Sequence, residues 1–416
     1  GSIKTTGFTA VTGTGYFCDT TGGGFTVTLP LSPSAGDVIG VADYAKTWDT
    51  DNLTLGRNGS NIGGGADDSI IKTKGLAVTL VYVDATKGWL VTDSGNQSDA
   101  PGPLFVAATG GCITTCGNFK MHTFLTPATF TVTCVGNTAG SEKVDYLVVA
   151  GGGGGANQHG GGGGGGGFRS SFPSPGCNAG TQPVTAIGYP IQAGGGGARS
   201  PTTPSSGVTA TSGVDSSFDT FTSAGGGGGG ANPCVAGAAG GSGGGGGGPS
   251  AAGGAGNTPA QSSPASPVQG YAGGSGTSHA TGGGGGGGGA AAVGANGSPP
   301  AATAGPGGAG AQNNIDTNNY YWAGGGGGGA HSAGKTAGAG GIGGGGGGGA
   351  AGSPSGGAGG GSAINSGACG SGSPTTCGTG GSAGDNSGGG GGASGGSSGD
   401  AGNGGSGVVI IRYKYQ

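Results

Sequence analysis

The sequence predicts an all-β chain with no α-helix, ordinary β-modules up to about residue 150 and a polyglycine II helix bundle beyond. Three observations predict it. Nine uninterrupted runs of glycine, four to eight residues long, lie between Gly151 and Gly392, and glycine is 123 of 416 residues. Short segments in the first 150 residues alternate apolar and polar side chains. The two most apolar segments stand at the two edges of the glycine-rich region.

Residues 1–98 read as a β-rich module. Phe25-Thr26-Val27-Thr28-Leu29 puts three apolar side chains on one face. Further strands are predicted at Asp37–Ala42, Asn52–Leu55, Ile70–Thr73, Ala77–Val83 and Trp89–Thr92, with turns at Asn58-Gly59 and Lys87-Gly88. Residues 99–112, which hold Ala-Pro-Gly-Pro, read as a linker. Residues 113–150 carry strands at Lys120–Leu125, Ala128–Val135 and Val144–Ala150, the last running into the first glycine run. Residues 151–416 form the glycine-rich domain, closed by a strand at 407–413. Strands 144–150 and 407–413 are expected to pair and clamp the base of the bundle.

Glycine loses the most backbone entropy on folding and brings no side chain to bury. An ordered glycine run therefore needs its backbone groups satisfied by neighbours. Polyproline II geometry has three residues per turn and turns those groups sideways. With glycine at every position, such helices can approach backbone to backbone, and a run of six to eight spans roughly 19–25 Å. There is no G-X-Y period, which excludes collagen. The competing reading is a flexible Gly/Ser linker. Only ten of the thirty formal charges fall in residues 151–416, unlike a solvated disordered tail.

An internal repeat supports the bundle. Strand-like residues, Ala, a glycine run, Ala and a polar tip recur from Asp145 to His159, from Asp219 to Cys234, and from Asn319 to Ser332. A strand entering each run from the base sends all three tips to the opposite end. That places Asn157, Gln158, His159, Asn232, His331 and Lys335 on one surface as candidate receptor-binding residues.

Asp145-Tyr-Leu-Val-Val-Ala-Gly-Gly-Gly-Gly-Gly at one edge and Gly407-Val-Val-Ile-Ile-Arg-Tyr at the other resemble the glycine-rich domain of bacteriophage tail fibre proteins. Met121-His-Thr-Phe and Thr129-Phe-Thr-Val-Thr look like the strand pair leading into it. The resemblance covers about residues 117–416. Asn52–Ser60 and Val81–Trp89 are also similar to a tail-fibre β-module. The distal part is similar in kind to T-even phage adhesins, and it implies packed polyglycine helices carrying receptor-binding loops.

Most other chemistry is missing. Gly329-Ala-His-Ser-Ala-Gly-Lys-Thr336 matches the phosphate-loop pattern, but Ala-Gly-Ala-Gly-Gly-Ile-Gly cannot continue as a helix. Matches to nucleotide-binding and nucleophile-elbow glycine patterns are products of composition. Eight cysteines include no zinc-type pairing with histidine. Cys112/Cys116 and Cys369/Cys377 are close enough to staple short loops, with free thiols as the alternative. Of the four histidines, His122 reads as structural, while His159 and His331 are tip residues, solvated or in contact with a receptor, with a metal site as the remaining alternative. Asp49, Asp51, Asp67 and Asp68 read as turn residues. Tyr320-Tyr321-Trp322 reads as packing on the base rather than as a sugar-stacking platform. The net charge of −4 argues against nucleic acid. No apolar segment approaches the ~20 residues needed to span a bilayer. The Gly1-Ser2 opening reads as a processed or truncated start.

The expectation is an adhesin, not an enzyme, with no cofactor and no metal. Its partners would be a bacterial surface receptor (an outer-membrane protein or a glycan) and other tail-fibre or baseplate proteins. A homotrimer is expected through the N-terminal module, and the setting is a virion's distal, extracellular tail fibre. The alternative is a structural fibre subunit without receptor binding. An ice-binding bundle is a third reading, disfavoured by irregular loops.

Overall fold

The structure, a computed structural model, describes residues 2–416 apart from 97–102, 173–180, 203–206, 260–267, 278–281, 299–302, 332–333, 374–376 and 397. Among the described residues the chain is all-β with no helix. It divides into two compact units, Gly1–Gly102 and Pro103–Gln416.

The first unit holds two four-stranded sheets around one core. One sheet runs Phe8–Thr9, Phe25–Thr28, Leu53–Gly56, Ser69–Ile71 in spatial order; the other runs Thr14–Cys18, Val38–Asp43, Leu76–Asp84, Gly88–Asn96. Alternation does the work predicted for it. Val27, Ile39, Val41, Leu53, Leu55 and Leu80 all point inward, with Trp48 and Trp89 fully buried among them. Thr14–Cys18 lay outside the sequence expectation, because Thr-Gly-Tyr-Phe-Cys buries only Cys18 and carries almost no period-two signal.

The second unit is built on a central sheet ordered Cys112–Cys116, Phe119–Phe124, Val408–Lys414, Lys143–Val149, Phe168–Ser170. The two apolar edge segments do pair: Lys143–Val149 runs antiparallel to Val408–Lys414, from Asp145 opposite Arg412 to Val149 opposite Val408. Their unbroken apolar runs follow from burial on both faces. Tyr146, Val148, Val409, Ile411 and Tyr413 pack against Phe130, Tyr189 and Phe218 of a second sheet. Leu147, Val149, Val408 and Ile410 pack on the other side against Phe168, Trp322 and Ala323. The expected linker does not extend to residue 112. Ala107–Thr109 is a strand paired with Ala128–Cys134, and Val106 is buried in the core with Ala108 packed against it, because burying Val106 outweighs the linker signal of the prolines before it.

The glycine runs are laid out in the manner of a β-solenoid, with successive passes of the chain side by side and bonded through their backbones. The bonds repeat every third residue. Gly151, Gly152 and Gly153 donate to the carbonyls of Val214, Gly405 and Gly164; Gly154, Gly155 and Ala156 donate to Thr211, Gly402 and Gly161, three residues along each of the same neighbours. The run Gly160–Gly167 is enclosed completely. The amides of Gly161–Gly167 bond to carbonyls in 224–230, 285–288 and 388–391, and the carbonyls of Gly160–Gly165 and Gly167 accept from amides in 150–156, 242–245 and 326–329. The distances are 2.7–3.1 Å. Buried backbone groups must be paired, and here other backbones pair them from six directions.

That contact distance leaves no room for a side chain. A Cβ on Gly163 would lie on the carbonyl oxygen of Gly153, whereas a Cβ on the exposed Gly195 would meet nothing within 4 Å. Gly163→Ala is therefore expected to cost more than the ~1–3 kcal/mol of ordinary overpacking, because the colliding atom is backbone held on both sides. Gly195→Ala should stay within about 0.5 kcal/mol of the parent. Urea unfolding of the two variants checks the contrast, and equal midpoints would refute close backbone packing.

Candidate functional site

The end of the glycine-rich unit far from the base sheet gathers the tips of the three repeats. Strands Lys143–Val149, Phe221–Ser223 and Tyr320–Trp322 each lead into a glycine run from the base. At the far end Gly161 donates to Gly230 and Gly329 donates to Gly160, so the residues beyond those runs are neighbours. His159 and His331 meet with ring centroids 4.1 Å apart and planes tilted by 39°. Lys335 precedes Ala337, which packs with Ala330 at the same end.

The tips are less exposed than their polarity suggests. Asn157 is only 1 % exposed. Its amide nitrogen Nδ2 donates to the Ser200 carbonyl at 2.9 Å, its Oδ1 accepts from Ala401 N at 2.9 Å, and its backbone N–H donates to Ser200 Oγ at 2.8 Å. The side chain is spent closing the scaffold, since buried backbone groups at the end of a run must find partners. His159 is likewise buried, at 6 %. The expected placement of Asn157 and His159 on an exposed surface is therefore corrected. His331 is exposed, and Gln158, Asn232 and Lys335 are half-buried.

The turn at 157–159 is strained and held. Gln158 and His159 adopt left-handed φ of 56° and 48°, which costs about 1 kcal/mol or more for each such residue. Ser394 fixes both: Gln158 N–H donates to its Oγ at 3.1 Å and His159 N–H to its carbonyl at 2.9 Å. Burial first, and the like charge of His331 second, push the His159 imidazole down to about 3, so it is neutral. Among the described residues its Nδ1 has no hydrogen-bond partner.

Sequence reasoning missed Ser200, Ser394 and the ion pair beside them. Arg199 and Asp400 meet at 3.0 Å with both side chains nearly half exposed. They flank Ser200 and Ala401, the two residues that hold Asn157. No repeat marks these positions, so only the fold brings them to the tips. Arg199, Gln158 and His331 give this end a mixed polar surface rather than a single-sign field.

Other expectations resolve plainly. His122 is fully buried, with Nδ1 at 2.7 Å from the Gly110 carbonyl and Nε2 at 3.0 Å from Tyr413 Oη, and is structural. Trp322 is fully buried on the base, so it offers no stacking platform. After Gly334 the chain joins the backbone lattice, with Gly338 donating to Gly328, and among the described residues no helix follows the motif. The short-loop staples are not formed. Cys112 and Cys116 are exposed free thiols on one strand, about 13 Å apart at ~3.3 Å per residue, and Cys369 is an exposed free thiol. His279 and Cys177 lie outside the described residues. Among the described residues no group of three or more His, Cys, Asp or Glu could hold a metal ion, and no helix is long and apolar enough to cross a membrane.

Fold and site together define an all-β protein whose glycine backbone, not its side chains, builds the frame for a set of short polar turns. Residues 126–382 match the glycine-rich domain family, and the chain belongs to that family. No curated protein matches the chain.

Two outcomes follow. Asn157→Ala strands the Ala401 amide and the Ser200 carbonyl in the interior, and is expected to cost about 1–3 kcal/mol for each group left unpaired. The depressed His159 leaves the folded state binding fewer protons than the unfolded state between pH 6.5 and about 3. Its contribution is complete above pH 6.5 and is lost as pH falls through that window, with a slope approaching 1.4 kcal/mol per unit at about one proton. His159→Gln should flatten the slope in denaturant titrations across the same range; an unchanged slope would remove His159 from the account.

Proposed function

We propose that this protein is an adhesin, similar in kind to phage tail-fibre adhesins, in which a polyglycine II bundle displays tip loops to a bacterial surface receptor. The observation that carries the reading is the convergence of three sequence-distant tips at one end of a backbone-bonded frame. The three-residue repeat of its bonds is the repeat of a polyproline II helix. A frame held from six sides keeps loop ends fixed, so recognition loses little conformational entropy on binding. Binding residues concentrate on loops positioned by rigid scaffolds, and Gln158, Asn232, His331 and Lys335 are the tip residues with accessible surface.

The receptor would be an outer-membrane protein or a glycan. The first unit would join other tail-fibre proteins, as a homotrimer, on a distal virion fibre. The polar, weakly charged tips fit recognition by hydrogen bonding and shape better than by long-range attraction.

The test is binding of the full chain to a panel of bacterial cells, beside a variant carrying Gln158→Ala, Asn232→Ala, His331→Ala and Lys335→Ala. Selective binding reduced at least tenfold in the variant, with unchanged circular dichroism, is expected. Binding that the variant retains, or no binding to any cell alongside self-assembly of the chain, would move the reading to a structural fibre subunit.

A further inference from the structure

The strand Cys112–Cys116 is an open edge. Among the described residues it ends the central sheet, pairing on one side only with Phe119–Phe124. All five of its residues are exposed, and Cys-Ile-Thr-Thr-Cys contains none of the charges or prolines that usually blunt an edge. Its cysteines sit symmetrically about Thr114, which makes the strand self-complementary when two copies run antiparallel.

The direction of its backbone groups follows from the hairpin. Tyr415 N–H donates to the Asn118 carbonyl at 2.9 Å, so Asn118 faces the Val408–Lys414 strand. Backbone groups alternate sides along a strand, so Phe119 faces the edge strand, where Cys116 lies opposite it. Cys112, Thr114 and Cys116 therefore turn their amides inward. Ile113 and Thr115 present theirs to the open side.

We propose that this edge is the interface of a redox-dependent homodimer, in which Cys112 of each copy forms a disulfide with Cys116 of the partner subunit. With Thr114 on the dyad, Ile113 faces Thr115 of the partner subunit and both exchange backbone bonds. Cys112 then faces Cys116 of the partner subunit at a non-hydrogen-bonded site, where Cα atoms are about 4.5 Å apart. Disulfides span roughly 4.4–6.8 Å between Cα atoms, so the register allowed by the backbone is one that the thiols can close. A lone pair of short strands is marginal in water, so the covalent bonds govern association.

The oxidant is a small disulfide such as oxidised glutathione. A Cys112 thiolate attacks one of its sulfurs and expels a glutathione thiolate; the Cys116 thiolate of the partner subunit then displaces the second. For each protein disulfide formed, the two cysteine thiols pass two electrons and two protons to one oxidised glutathione, yielding two reduced glutathiones.

The experiment uses the full chain with Cys134, Cys177, Cys234, Cys369 and Cys377 changed to Ser, incubated with oxidised glutathione and run on non-reducing gels. A covalent dimer is expected, reversed by dithiothreitol. Cys112→Ser and Cys116→Ser should each abolish it, and an equal mixture of those two variants should restore it, with a Cys112–Cys116 linked peptide by mass spectrometry. No dimer, single variants that cross-link like the parent, or a mixture that fails to cross-link would each overturn the proposal.

Discussion

The second unit depends on one constraint: a backbone amide removed from water must be paired, and only a chain without Cβ atoms lets a different backbone pair it from every side. Around Gly160–Gly167 six neighbouring passes supply those partners. The entropy lost in ordering glycine is the largest of any residue, and no apolar side chain offsets it within the runs. Close packing and fully paired backbones have to do so. Alanine appears where this constraint ends. Ala150 and Ala156, Ala224 and Ala231, and Ala323 and Ala330 flank three of the runs and are all buried.

Register is the second requirement, since a slip of one residue turns every amide toward a different neighbour. The base sheet supplies it. Val149 opposite Val408 fixes where the first run starts relative to the last pass of the chain. Trp322, Phe168 and Ile315 then anchor the other passes on the same apolar face. At the far end, Ser394 and Asn157 perform a similar task with polar groups. Side chains there divide between those that close the frame and those left to meet a partner. Burial separates Asn157 and His159 from Gln158 and His331.

Much of the frame was legible in the sequence. The segments at 144–150 and 407–413, the two most apolar at the edges of the glycine-rich region, read as strands that pair at its base, and they do pair. The three strand–Ala–Gly repeats revealed that their tips share an end. Burial of the tips was not legible: a polar residue after a glycine run looks solvated, and only the passes at Ser200, Ser394 and Ala401, more than forty residues away, enclose it. Strands of two or three residues, such as Phe168–Ser170 and Ser216–Phe218, are too short to carry a period. Ala107–Thr109 was hidden behind the Ala-Pro-Gly-Pro signal that precedes it.

The most direct measurement is amide hydrogen exchange of Gly161–Gly167 by nuclear magnetic resonance in the intact chain. Amides paired inside a close-packed frame open only with large-scale unfolding. They should exchange as slowly as Leu147 and Ile410 in the base sheet, and share one opening free energy. Exchange at the rate of an unstructured glycine linker, with Leu147 still protected, would contradict a backbone-built frame.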